Sequence, residues 1–562
     1  MLGLSGAGVV GRTFLSSPDE LARWLAANPR STPVDLGARL RGAVCAVLYE
    51  PRTHRVSLVP DPLGSAFVYS WRHGHAFVHS NDLGLLRRLV ARRGHGLRKS
   101  LPYLLSVLAV GNGGYYPASY EDVEVLAPGR LLELSPEGEA RRDYRLPADL
   151  GAAAAREALS AELCDNVEAS VASGAGPVVA HLTGGFDSRL VLAALLATGR
   201  AGDVAFFCSG PPTSLDRCVA DGLMRQYGLR STGHPGFDTV NPDRTLAAQR
   251  LAMTEDAHGM LTASPSLGMR QPDGGSLILS GGYGGLLRSQ YGHRKGAEAV
   301  GSGLTRALWG NTAFGDDDVR ITSPEFNAAL TSRVQDSVRA QRAKGLDESA
   351  WLDAMFMSVR NRYYIGLTSS LVSRSVPRFD PLYSPLGAYA ALRGPAEERA
   401  VNLLGFDVMD ALAPGLKSWE FDTPRFKDGY TALRGPQAVN ELPREGAIDR
   451  DARRHVFQGR VTDSAASPSR EQIEFANRIK ANPGQVAGME SMQASCRKLM
   501  AGIGRDALEE HFNWTVLRRL THKPLGNRVH IRQVHYLNDI LGWYYADPGL
   551  DVAGSAPGPD VS

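Results

Sequence analysis

The chain has 562 residues, and its 62 Lys and Arg against 59 Asp and Glu leave a formal charge of +3. That near balance excludes a nucleic-acid or membrane-surface role driven by bulk charge, and the length predicts two domains rather than one core. Five scattered cysteines without paired spacing (Cys45, Cys164, Cys208, Cys218, Cys496) point to neither a disulfide framework nor a zinc site. With no signal-peptide pattern and no apolar run of about 18–20 residues, the expectation is a soluble protein of a reducing cytoplasm.

Residues 1–148 read as a β-rich domain. Strand-like runs at 43–49, 56–59, 66–71 and 75–79 are separated by turn signals at Pro51-Arg52, Asp61-Pro62 and His73-Gly74. Leucine spacing predicts a helix over 82–92, and a strand over 130–134 follows the turn at Ala127-Pro128-Gly129. From 149 to 545 the pattern changes. Helices over 153–173, 188–198 and 215–227 alternate with strands over 178–182, 204–208 and 276–279, which predicts a parallel sheet covered on both faces. Beyond about residue 320 the chain reads as mainly helical. Residues 461–470 and the tail 546–562 are small, polar and Pro/Gly-containing, the pattern of a loop and a disordered end.

The stretch VVAHLTGGFDSRLVLAALL, residues 178–196, carries the sharpest chemical signal. An apolar strand ends at Leu182, a small-residue turn follows, and a helix starts near Ser188. Gly184 and Gly185 have no side chains to keep an anion from their backbone N–H groups, and the helix start adds unpaired donors and partial positive charge. Thr183 and Ser188 supply hydroxyls. Asp187 beside phosphates makes sense as a ligand of a bridging Mg²⁺. The loop has no Walker A Lys-Ser/Thr ending and is no dinucleotide fingerprint. It reads as a pyrophosphate cradle rather than a simple capped turn.

LTGGFDS resembles the pyrophosphatase loop (SGGxDS) of the asparagine synthetase superfamily, which includes β-lactam synthetases and lasso-peptide cyclases. Three further segments match in order: RGAVCAVLYEPRTHRVSLVPDPLGSAFVYSW (41–71), LAPGRLLEL (126–134) and SLVSRSVPRFDPLYS (370–384). The resemblance implies an α+β Ntn-hydrolase-like N-terminal domain, shortened and degenerate, before an α/β ATP-pyrophosphatase domain with a parallel sheet and a helical C-terminal part. It implies ATP and Mg²⁺, a small-molecule or peptide carboxylate, and an amine. The carboxylate is adenylated with release of pyrophosphate, and the amine displaces AMP. Thr183, Gly184, Gly185, Asp187 and Ser188 would hold pyrophosphate and metal. Residues 180–182 and 207–209, Leu182 among them, would line the adenosine, with Ser280 and Gly281 near the ribose or α-phosphate.

The chain departs from the family pattern in three places. Residue 2 is leucine and no cysteine precedes Cys45, itself inside an apolar run, so an amine other than glutamine-derived ammonia is expected. LSGGYGGLLRSQYGHR, residues 279–294, has Leu286 nearest the family's second acidic metal ligand and no Asp or Glu after Ser280. Arg288 or Arg294 is the candidate to supply that charge by binding phosphate directly. Tyr283 stands where β-lactam synthetases use a tyrosine, as acid/base or as packing, but Val372 and Ser373 stand where its glutamate partner should fall. Lys417, with Lys427 as fallback, matches the lysine that stabilises adenylation. Arg374 and Asp380 are expected as a charged pair in the core near the ATP site. His258, Met260, Tyr363 and Tyr364 are candidates for the acceptor cavity. An asparagine synthetase proper, an inactive nucleotide-binding paralogue and another ATP-pyrophosphatase stay open as alternatives, as does a homodimer.

Overall fold

The computed structural model describes residues 2–145, 147, 149–208, 215–233, 245–262, 275–291, 320–422, 428–435, 468–479 and 481–545. The expected tail, most of the expected loop at 461–470, Ser209, Arg294 and Lys427 lie outside them. The strands are β1 (Leu2–Gly6), β2 (Gly8–Val10), β3 (Thr13–Leu15), β4 (Leu40–Arg41), β5 (Val44–Glu50), β6 (Arg55–Pro60), β7 (Tyr69–His73), β8 (Ala76–Ser80), β9 (Val123–Val125), β10 (Arg130–Ser135) and β11 (Gly138–Asp143), then β12 (Val178–His181), β13 (Val204–Phe207), β14 (Arg230–Ser231), β15 (Leu277–Leu279) and β16 (Arg378–Phe379).

The first eleven strands form antiparallel sheets in the orders β1-β5-β6-β10-β11, β3-β2-β4 and β8-β7-β9. Strand β5 shows how the sequence drives this. Val44, Cys45 and Ala46 are buried while Glu50 is exposed, and β5 pairs with β1 on one side and β6 on the other. The expected strand at 66–71 begins only at Tyr69. Ala66, Phe67 and Val68 are buried in the approach to it, where the Val68 carbonyl accepts the Leu126 N–H.

The second unit is α/β. A five-stranded sheet runs in the order β14-β13-β12-β15-β16 with every neighbouring pair parallel. Val178, Val179 and Ala180 of β12 are buried whichever face they point to, as a strand covered on both faces requires. In helix Phe186–Ala197 each residue from Ser188 to Leu195 is buried, along with Phe186. A helix buried on nearly every side belongs inside a core, and this one packs with helices Ala152–Val171 and Leu403–Leu412. The remainder is helical, ending with Arg528–Tyr545.

The two units meet on buried polar contacts. The Asp61 carboxylate accepts N–H donors from Ser65 (2.9 Å) and Ala66 (2.6 Å) and the Tyr383 hydroxyl proton. The same hydroxyl accepts the Leu63 N–H at 2.9 Å. Arg362 donates to the Gly64 and Leu126 carbonyls at 2.8 and 2.6 Å. Tying 61–66 to 362–383 in this way fixes the N-terminal sheets against the parallel sheet. No helix among the described residues is long and apolar enough to cross a membrane.

Candidate functional site

The chain steps outward from β12 to β13 to β14, then returns to the far side of β12 for β15 and β16. The loops leaving β12 and β15 therefore diverge at a topological switch point. In open parallel sheets the crevice outside the carboxyl ends of such strands is where ligands bind. Those loops are residues 182–188 and 280–288, the two that the sequence singles out.

The β12 loop is held tightly. Leu182 is buried and its N–H donates to the Phe207 carbonyl at 2.9 Å. The Thr183 N–H donates to Ser188 Oγ at 3.0 Å, the two hydroxyls lie 3.0 Å apart, and the Gly185 N–H donates to Thr183 Oγ1 at 3.1 Å. The Gly184 N–H donates to the carboxylate of Asp216 at 2.8 Å. The amides of Thr183, Gly184 and Gly185, expected to stand open to an anion, donate to oxygens of the protein itself. Gly185 caps helix Phe186–Ala197 without a side-chain hydrogen bond to the first turn.

The β15 loop closes over that helix start because its glycines lack side chains. A Cβ on Gly281 would lie 2.9 Å from the Ser188 nitrogen, and one on Gly284 would lie 2.4 Å from Asp187 Oδ1. That close approach lets Arg288 reach Asp187, with N–O distances of 2.7 and 3.4 Å to the two carboxylate oxygens. Side-chain exposures of 25% for Arg288 and 35% for Asp187 leave the pair accessible from solvent. Ser280 Oγ accepts from Arg378 at 3.1 Å, and Arg378 also donates to Asp380. Asp380 in turn accepts the Gly282 N–H and the Ser369 hydroxyl.

Tyr283 adopts φ 70, unusual for a residue with a side chain. It is buried, its ring edge-on to Tyr383 at 4.8 Å. Burial holds its hydroxyl well above the ordinary tyrosine range. Lys417 donates to Asp410 at 2.8 Å. Burial disfavours its charge, but bonding to Asp410 and Tyr430 outweighs that and raises its pKa. No described hydrogen bond or ion pair joins Lys417 to the loop.

Two expectations need correction. Arg374 and Asp380 do not pair: Arg374 meets Asp82 at 3.1 Å and Asp380 meets Arg378 at 3.1 Å. Two of the four acceptor-cavity candidates are core residues, since Met260 and Tyr363 are buried, the latter donating to the Pro117 carbonyl at 3.0 Å. Arg288, the candidate to meet phosphate directly, has Asp187 as its partner here. A cavity of about 200 Å³ lies beyond Leu287, beside Arg393 and Glu398, and none of residues 182–188 lines it.

Sequence reasoning passed over Asp216, Asp422 and Arg189. Arg189 is fully buried, donates to the Trp419 carbonyl at 2.6 Å and to those of Leu416 and Glu420, and its guanidinium lies 3.6 Å from the Phe421 ring centre. It thereby anchors 416–421, and the Asp422 N–H donates to the Gly184 carbonyl at 3.0 Å. An arginine inside an otherwise apolar helix was the available signal.

What the crevice offers an anion is the start of helix Phe186–Ala197 and the Arg288 guanidinium. An acidic magnesium centre does not suit the described donors. Asp187 is committed to Arg288, 280–291 holds no Asp or Glu, and no group of three His, Cys, Asp or Glu among the described residues could hold a metal ion. No family model matches the chain, and no curated protein matches it in sequence.

Proposed function

We propose that the chain binds the polyphosphate of ATP between loops 182–188 and 280–288 and adenylates a carboxylate, which a non-glutamine amine then attacks. A carboxylate oxygen attacks the α-phosphorus, the bond to the bridging oxygen breaks and pyrophosphate leaves. The amine then attacks the acyl carbon, loses a proton, and AMP leaves. One observation carries the reading: both glycine loops leave neighbouring strands of a parallel sheet at its switch point. The chemistry comes from the resemblance of LTGGFDS and its accompanying segments to the asparagine synthetase superfamily. Burial of Cys45, which pushes its thiol up to about 12, accords with an N-terminal domain that does not hydrolyse glutamine.

The partners in this reading are a small-molecule or peptide carboxylate and an amine, joined in one molecule as a lactam or macrolactam, or between two. A second reading, nucleotide binding without catalysis, is favoured by the Asp187–Arg288 pair. ATP–pyrophosphate exchange across a panel of carboxylic acids decides between them. Exchange with any acid supports the ligase, and exchange with aspartate alone makes it asparagine-synthetase-like. ATP binding without exchange for any acid selects the second reading. Failure to hold ATP at millimolar concentration ends both.

A further inference from the structure

We infer that Arg288 is the cationic group that meets the polyphosphate, that Asp187 is its positioning residue rather than a metal ligand, and that phosphate binding here does not require a divalent ion. The inference rests on reading the crevice as a phosphate site and names how that site balances charge. Asp187 sits in the first turn of helix Phe186–Ala197, where a carboxylate repels an incoming anion unless something neutralises it. Arg288 does so with both oxygens of Asp187 in reach, at 2.7 and 3.4 Å. A guanidinium carries more N–H donors than one carboxylate consumes, and its planar fork suits phosphate. With a quarter of its side chain exposed, Arg288 stays open to solvent in part.

The glycines of the second loop are the structural reason for the exchange of roles. Without room at Gly284 the backbone of 281–288 could not come near enough for Arg288 to reach Asp187. The nearest residue to a second acidic ligand, Leu286, is buried in apolar company with Tyr283 and Tyr383. Asp216, another acidic residue against the loop, spends an oxygen on the Gly184 N–H. The charges around the cradle are thus arranged as a fixed cation with its own counter-ion.

Calorimetric titration of the purified full chain with inorganic pyrophosphate and with ATP, in EDTA and in excess Mg²⁺, tests this. Wild type is expected to bind in EDTA within about threefold of its affinity in Mg²⁺, and Arg288→Met to lose about tenfold or more in both, the worth of one charge-assisted contact. Asp187→Asn gives the sharper sign. A positioning role predicts the same several-fold loss in EDTA as in Mg²⁺, because Arg288 is released in both, whereas a metal ligand predicts loss in Mg²⁺ alone. Binding that appears only with Mg²⁺ and vanishes in Asp187→Asn overturns the inference and leaves the nucleotide reading standing. An Arg288→Met chain that melts like wild type and binds equally well overturns it alone. Absence of binding by either ligand in either buffer overturns both.

Discussion

Arg189→Met is the most exposing test of how the loop is held. The guanidinium is fully buried and serves the carbonyls of Trp419 and Glu420 closely, that of Leu416 at 3.4 Å, and the face of Phe421. Two close charge-assisted hydrogen bonds contribute about 1.5–3 kcal/mol each, and the ring contact about 1 kcal/mol more. Methionine retains most of the stem volume and removes a buried charge, which recovers part of that loss. The net destabilisation is expected at about 3 kcal/mol, which for a unit as long as 149–545 corresponds to a fall of roughly 3–5 °C in the transition temperature. Differential scanning calorimetry reads it, and Arg189→Lys should fall nearly as far, because an ammonium cannot fork between carbonyls. Because the Asp422 N–H donates to the Gly184 carbonyl, pyrophosphate affinity should drop as well. A transition within about 1 °C of wild type in both variants would refute the clamp, because even one charge-assisted bond is worth more than that.

Gly281→Ala would set a methyl 2.9 Å from backbone atoms of Asp187 and Ser188. It should cost about 1–3 kcal/mol by overpacking and weaken pyrophosphate binding in titration. Asp216→Ala frees the Gly184 N–H and removes a negative charge from the cradle, so pyrophosphate should bind several-fold tighter; weaker binding would give Asp216 a direct part in holding ligand. Burial, helped by Arg87, pushes His258 down to about 4, and burial with Arg250 pushes His535 down to about 3. Both are neutral when folded, so their contribution is complete above the unfolded value of 6.5 and is lost as pH falls toward 4 and 3. Melting temperature should therefore fall below pH 6.5, and His535→Gln should flatten that decline.

What could be read from the sequence were features set by neighbours in the chain. The strand at 178–182 and the helices after it follow from runs of apolar residues, and they emerge within two residues of their expected ends. The helices Pro18–Ala27 and Pro33–Arg39 went unassigned although Ser17 with Glu20, and Thr32 with Asp35, are capping boxes ahead of proline. Those signals are local and stand in the sequence just ahead of each helix. The site divides in the same way. Two glycines between a buried strand and a helix point, by local geometry alone, to the loop proposed to hold an anion. The fate of Asp187 is not local, because its partner Arg288 lies 101 residues further on, and only the sheet order brings the two loops side by side. A carboxylate next to a phosphate cradle reads as a metal ligand when its surroundings are unknown, since an unpaired negative charge there demands a cation. The fold supplies that cation as an arginine, so the same electrostatic demand that suggested magnesium is met from within the chain.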